Sequence, residues 1–251
     1  MNVPNLFTSL NLFSGFLAVI LAISGRYDSA AWLIFMASVF DGLDGRIARA
    51  SGNHSEFGLQ MDSLADVISA GIAPSILLYE VHFKHLGSHA IIGVMLAFLP
   101  LLFATFRLAR YNVMTHHHGH KVDYTGMPAP MAAATLGSIV VLHVHTEWEF
   151  LLQFLVIMTP IISLIMLSHL HYDGLPDFNL RKGGKNRFKL LVMLTGIVFV
   201  FIYPEFTFFT FMMIYFFSGP LKYVRDLLTN RESRTTESAR NAEAVSGKPR
   251  S

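Results

Sequence analysis

Long apolar segments, most of them nearly free of charge, constrain the fold of this chain more than any other feature. The first runs from Pro4 to Ser24 without a single Asp, Glu, Lys or Arg. Over the whole chain 53% of the residues are hydrophobic and 14% are charged, whereas about 25% are charged in a typical soluble domain. An apolar stretch of about 20 residues is long enough to cross a bilayer as a helix. The sequence therefore predicts an all-α integral membrane protein that packs as one polytopic helical bundle.

Eight membrane-spanning helices are predicted, of which six form a core and two shorter ones follow near the C-terminus. They cover residues 4–24, 29–49, 59–81, 88–106, 128–145, 148–168, 190–203 and 205–219. The last two resemble a closing hairpin that turns at Pro204. Residues 1–220 are therefore expected to form one transmembrane domain. Residues 221–251 are expected to form a basic, disordered cytoplasmic tail, because the stretch from Asn230 onward is polar, charged and free of aromatic residues.

The distribution of basic residues orients these spans. With the N-terminus inside, the outer loops contain only Arg26 and Lys84, and 17 of the 19 Lys and Arg residues lie inside. Such a bias is typical of cytoplasmic loops. Omitting the two short C-terminal spans leaves the orientation of the first half unchanged. We expect a multi-pass protein of a bacterial cytoplasmic membrane, with the loop near residue 50 facing the cytoplasm.

Four aspartates interrupt the second and third predicted spans near this cytoplasmic face. They belong to the pattern Asp41-x-x-Asp44-Gly45-x-x-Ala48-Arg49, followed after eight residues by Gly58-x-x-x-Asp62-x-x-x-Asp66. Helical residues three or four positions apart share a face, so each helix presents a pair of carboxylates to its antiparallel neighbour. Because a charge within a membrane-spanning helix is costly, ionisable residues there usually mark a functional site.

Carboxylates this close together require a counter-charge, and hard divalent cations prefer oxygen ligands. The pattern therefore predicts Mg²⁺ or Mn²⁺, and because such ions also bind substrate phosphates, a pyrophosphate-bearing substrate is the simplest match. Gly45 and Gly58 lack side chains and would let a ligand approach the backbone. Arg49 is placed to pair with a phosphate.

Two other interpretations of the acids remain open from the residues alone. The acids would also fit a solvated corner between two helices, where they pair with Arg46, Arg49 and Arg107. A transporter would use them as a proton or cation relay, which predicts acids near the middle of the bilayer rather than at one end of two helices. A cluster of histidines, His116 to His118 and His120, is expected in one polar loop, where it would bind metals only incidentally.

The aspartate pattern resembles, without a gap or substitution, the signature of the CDP-alcohol phosphatidyltransferase family. The resemblance implies a homodimeric membrane enzyme in which two divalent ions hold a CDP-linked pyrophosphate. It implies Asp41, Asp44 and Asp62 as metal ligands and Asp66 as the catalytic base, which also contacts a metal. It further implies a CDP site lined by Gly45, Ala48, Arg49 and Gly58. Asn5 and Thr8, on one face of the first helix, are additional candidates for contacting the nucleotide.

The segments around the signature resemble the phosphatidylserine synthase branch of the family, and the resemblance extends over about residues 1–135. It implies CDP-diacylglycerol and L-serine as substrates, direct displacement of CMP, and no nucleic-acid partner. The candidate cations for the acceptor carboxylate are Arg107, Arg110, Lys185 and Arg187. Members that use glycerol phosphate, inositol phosphate or an archaeal lipid donor share the core signature, so these alternatives also remain open.

Overall fold

The structure is a computed structural model that describes residues 3–51, 56–87, 90–118, 126–172 and 202–246. Its helices are α1 (Val3–Ile23), α2 (Tyr27–Ser51), α3 (Glu56–Asp66), α4 (Ala73–Val81), α5 (Ala90–His118), α6 (Ala129–Thr146), α7 (Phe150–Leu167) and α8 (Pro204–Ser246). A π-helical turn at Val67–Ile72 joins α3 to α4, and a short 3₁₀ turn at Phe83–His85 follows α4. The predicted all-α class is confirmed.

Within the described ranges, five helical segments are long and apolar enough to cross a membrane. They are Leu6–Ile23, Phe57–His85, Ala90–Met114, Ala129–Thr146 and Phe150–Leu167. These correspond to five of the six predicted core spans and support a multi-pass membrane protein. The remaining core span falls on α2, whose 25 residues extend over about 37 Å but carry four charged residues in the second half. The predicted total of eight spans stays a prediction.

The fifth helix is longer than the sequence pattern predicted. The predicted span ends at residue 106, whereas α5 continues through Arg107 and Arg110 to His118. The reason is that hydropathy falls after Phe106, whereas no Gly or Pro lies between Phe106 and Gly119 to end the helix. The prediction that His116 to His118 lie in a loop is therefore wrong, and His120 lies outside the described residues.

The C-terminal region also differs from expectation. Pro204 is the first residue of α8, a position where the missing backbone N–H of proline costs nothing. The first arm of the predicted hairpin, residues 190–201, lies outside the described part of the chain. The helix continues to Ser246, past residue 220, where the disordered tail was expected to begin. The Ala, Arg and Glu residues of this segment are good helix formers despite their polarity. The domain boundary at residue 220 stays a prediction.

The packing of α1 against α2 positions the acidic pattern. One face of α1 is buried and has small or short polar residues every three or four positions, at Thr8, Asn11, Gly15, Ala18 and Ala22. The facing part of α2 is also mostly small, with Ala30, Ala31 and Ala37 buried beside the larger Ile34. Small residues let membrane helices approach closely. The same face of α2 continues to Asp41 and Asp44, so the acids lie against the polar end of α1.

A very close contact between helices lies next to this polar end. A Cβ atom on Gly15 would come within 2.7 Å of the Cα of Ser69, which belongs to the π-helical turn directly after Asp66. A π-helical turn often occurs near a functional site. Gly15 therefore fixes how closely α1 approaches the helix that carries Asp62 and Asp66.

Replacing Gly15 with alanine should destabilise the bundle, because backbone atoms rather than a flexible side chain occupy the space that the methyl group needs. Overpacking of this kind costs about 1–3 kcal/mol. The matched control is Gly137→Ala in α6, where the new Cβ would lie 3.6 Å from Ala31 in ordinary contact. Thermal unfolding in detergent should show a lower midpoint for Gly15→Ala and little change for Gly137→Ala. Equal midpoints for the two variants would contradict the close contact.

Candidate active site

Three of the four aspartates converge in the folded chain. One carboxylate oxygen from each of Asp41, Asp62 and Asp66 lies within 4.8 Å of the other two. Asp41 projects from the C-terminal half of α2, and the other two come from the second half of α3. Helix α1 packs against both α2 and α3, and the acidic faces of these two helices meet beside it. The predicted convergence is observed.

Asp44 lies beside this cluster, is only 4% exposed, and is near enough to Asp62 for a direct electrostatic interaction. Its Oδ2 accepts a hydrogen bond of 2.9 Å from the hydroxyl of Thr8 on α1. The structure shows Thr8 holding an acid of the signature, and its expected contact with the nucleotide stays a prediction. The bond orients the carboxylate of Asp44 from the side of α1.

Asp66 is 6% exposed and is held in a similar way. The amide nitrogen Nδ2 of Asn11 donates a 2.9 Å hydrogen bond to its Oδ1. Asn11 was not among the site residues predicted from the sequence. A signal was available, because Asn11 follows Thr8 by three positions and therefore shares its helix face.

The donor set fits a hard divalent cation. All three clustered ligand atoms are carboxylate oxygens, which Mg²⁺ and Mn²⁺ prefer. In addition, Oδ1 of Asp62 is buried and has no hydrogen-bond partner among the described residues. A buried acceptor without a partner is costly, and a bound cation would satisfy it while offsetting the mutual repulsion of the acids.

The other residues of the predicted CDP site are described less completely. Gly45 and Gly58 are half-buried in α2 and α3, on the same helices as the acids. Ala48 and Arg49 belong to the last turns of α2, and Asn5 belongs to α1, but their side chains lie outside the described part of the structure. Lys185 and Arg187 fall in the range 173–201, which is also outside it. Their predicted roles therefore stay predictions.

The two arginines of α5 occupy different surroundings. Arg110 donates a 3.2 Å hydrogen bond from Nη1 to the backbone oxygen of Leu167, the last residue of α7. A cation at this position stabilises the free carbonyl groups at the end of a helix. Arg107 is only 9% exposed and lies one turn earlier on α5. The spacing of the two arginines in the sequence does not distinguish their roles.

Contacts on either side of Arg107 place it relative to the acids. Toward the middle of the bundle, a Cβ on Gly71 would meet Leu101 and Ala104 of α5. Toward the other end, the amide of Asn112 donates a 2.9 Å hydrogen bond to the hydroxyl of Ser63. These contacts show that α5 runs antiparallel to the α3 region, so Arg107 lies about level with Asp66.

Comparison with protein-family models matches residues 1–166, about two thirds of the chain, to the CDP-alcohol phosphatidyltransferase model. The chain belongs to the CDP-alcohol phosphatidyltransferase family. The matched range includes α1, α2, all four aspartates and nearly all of α7. Helix α8 follows the family region.

Individual relatives in the family resemble the chain over most of its length. It is 34% identical over 205 residues to a CDP-diacylglycerol–serine O-phosphatidyltransferase of Helicobacter pylori (strain ATCC 700392 / 26695), an alignment that covers 78% of this chain and 81% of that protein. It is 37% identical over 180 residues to an archaetidylserine synthase of Methanothermobacter thermautotrophicus, covering 68% and 71% of the two chains.

Replacing Asp62 with asparagine should weaken divalent-ion binding, because it removes a charged ligand from the cluster of three. The stabilising effect of Mn²⁺ on thermal unfolding measures this binding. We expect the Mn²⁺ concentration at half-maximal stabilisation to rise at least about tenfold, since even changes to supporting residues of metal sites cost that much.

The control is Asp28→Asn at the opposite end of α2, where Asp28 lies 3.6 Å from His145 and far along the helix from the cluster. This variant should respond to Mn²⁺ as the unaltered protein does. An unchanged Mn²⁺ response in Asp62→Asn would exclude Asp62 as a ligand.

Proposed function

We propose that this chain transfers the phosphatidyl group of CDP-diacylglycerol to the hydroxyl of L-serine and releases CMP. The observation that carries the proposal is the buried cluster of Asp41, Asp62 and Asp66 in a chain of this family. The relatives at 34% and 32% identity from Helicobacter pylori are named for this reaction, and the second alignment covers 88% of the chain.

In the proposed reaction Asp66 acts as the base. The serine hydroxyl gives its proton to the Asp66 carboxylate, and its oxygen attacks the β-phosphorus, which bears the diacylglycerol. The bond between this phosphorus and the bridging oxygen breaks, and CMP leaves with the bond's electron pair. No covalent enzyme intermediate is required. Two Mg²⁺ or Mn²⁺ ions, when held by Asp41, Asp44, Asp62 and Asp66, would stabilise the negative charge on the pyrophosphate.

The arrangement of the acids favours this enzyme over a transporter. Asp41 and Asp44 lie toward the C-terminal end of α2, and Asp62 lies in the first third of the candidate span Phe57–His85. The cluster is thus near one end of its helices rather than halfway along them, as a relay at the bilayer midplane would require.

The proposed membrane arrangement counts α2 as a sixth core span. Apart from Asp28 in its first turn, the first half of α2 is apolar and packs against α1. The other four charges of the helix lie toward the end that would emerge from the membrane on the side of the acidic cluster. The excess of basic residues on the same side supports a cytoplasmic site. From the family resemblance we also propose that the protein assembles as a homodimer. An archaeal lipid donor is the alternative to CDP-diacylglycerol.

The acceptor's carboxylate requires a cation, and we assign this role to Arg107 rather than Arg110. Arg107 is buried about level with Asp66, where a serine hydroxyl must approach the base. Arg110 is instead hydrogen-bonded to the end of α7. A planar guanidinium binds a carboxylate through two parallel hydrogen bonds, which also fixes the orientation of the acceptor.

An acceptor panel tests the proposed reaction. Purified protein with CDP-diacylglycerol and Mn²⁺ should release CMP with L-serine, but not with inositol phosphate or glycerol 3-phosphate. Mass spectrometry of the lipid product identifies the acceptor independently. CMP release only with another acceptor would support the reaction class but exclude serine as the acceptor. No CMP release with any alcohol would contradict the proposed enzymatic activity.

Asp66→Asn should reduce CMP release to background, because the amide cannot accept the hydroxyl proton. The loss should be at least about a hundredfold, the lower range for removing a general base. Asp28→Asn serves again as the control and should retain activity. A wild-type rate in Asp66→Asn would show that another group takes the proton.

Arg107→Gln should raise the KM for serine at least about tenfold, as expected for the loss of a charge-assisted contact worth 1.5–3 kcal/mol. The KM for CDP-diacylglycerol should change little. Arg110→Gln should mainly lower the unfolding temperature, because its partner is a backbone carbonyl. Serine saturation curves of the two variants measure the difference in KM. A raised KM for serine in Arg110→Gln but not in Arg107→Gln would assign the acceptor contact to Arg110.

A further inference from the structure

We propose that Asn11 is a positioning residue that sets the direction of the Asp66 carboxylate for proton transfer. This inference rests on the proposed function, because it concerns the base of that reaction. Asn11 is fully buried on α1 and donates the 2.9 Å bond from Nδ2 to Oδ1 of Asp66. The acidic signature does not include Asn11, which precedes Asp66 by 55 positions.

The hydrogen-bonding state of the Asn11 amide is the first argument for a functional role. Its second polar atom, Oδ1, is buried and has no hydrogen-bond partner in the described part of the chain. An unsatisfied buried oxygen destabilises the fold. An apolar side chain of similar shape would remove this unpaired oxygen but would leave Oδ1 of Asp66 without its donor, so the two penalties roughly offset each other. Stability alone therefore does not favour an asparagine at this position.

The geometry around Asn11 is the second argument. Thr8, one turn before it, is bonded to Asp44, and Gly15, one turn after it, packs directly on Ser69. Helix α1 is thus held on both sides of Asn11 against the helices that carry the acids. The amide nitrogen consequently has a fixed position relative to Asp66.

A donor at a fixed position restricts rotation of the Asp66 carboxyl group about its Cβ–Cγ bond. One oxygen is occupied by the amide, so the direction of the other is determined as well. A base must lie within about 2.6–3.2 Å of the proton it removes, and misplacement by an ångström lowers the rate strongly. Asn11 acts through Asp66, and its removal should therefore affect turnover more than binding.

The test compares Asn11→Leu with the unaltered protein. Leucine has a branched shape like asparagine but no donor. CMP release from CDP-diacylglycerol and L-serine should show at least a tenfold loss of kcat, with KM values for both substrates within twofold. The Mn²⁺ concentration at half-maximal stabilisation should rise less than in Asp62→Asn, because all three carboxylates remain, and the unfolding temperature should change little. Asn11→Val, with a smaller side chain, provides the same comparison if leucine prevents folding.

Ser14→Ala, three residues further on the same buried face, is the matched control and should leave every one of these quantities unchanged. A kcat within twofold of wild type in Asn11→Leu would overturn the inference. So would a parallel loss of kcat, Mn²⁺ response and unfolding temperature, which would show that Asn11 only ties α1 to α3. Failure of the proposed function would be distinguishable, because the unaltered protein itself would then release no CMP with serine.

Discussion

Mutual repulsion among carboxylates inside apolar helices is the constraint on which the rest of this structure depends. Asp41, Asp62 and Asp66 bring oxygens within 4.8 Å of one another, and Asp44 lies buried beside them. Burial and like charge both disfavour ionised acids. The arrangement therefore makes physical sense as a binding site for divalent cations and the phosphates they hold, and the helices around it can be understood as supports for that site.

Helix α1 is the main support, although it contributes no charge. Its small residues allow close contact with α2 and with the π-helical turn after Asp66, and its polar end provides one donor to Asp44 and one to Asp66. The two functions depend on each other, because a donor from α1 reaches an acid only if the helices are close. A change at Gly15 would thus alter the site without touching an aspartate.

The sequence predicted the convergence of the acids because helical periodicity and a short connection suffice to bring Asp41, Asp62 and Asp66 together. It missed Asn11, since a single asparagine in an apolar helix has many possible partners and only the packed helices identify one. It did not distinguish Arg107 from Arg110, because the difference arises from the end of α7, which is distant in sequence. The end of α5 was misplaced because decreasing hydropathy does not end a helix that lacks a breaker.

The most direct test of the central claim is to locate the metal itself. Anomalous scattering from crystals of the protein grown with Mn²⁺ and CDP would show where the ion and its phosphate ligand lie. The account predicts a Mn²⁺ peak within about 2.5 Å of carboxylate oxygens of Asp41 and Asp62, with the CDP phosphates completing its coordination. A peak elsewhere, such as at the histidines ending α5, with CDP bound and the aspartates unoccupied, would contradict it.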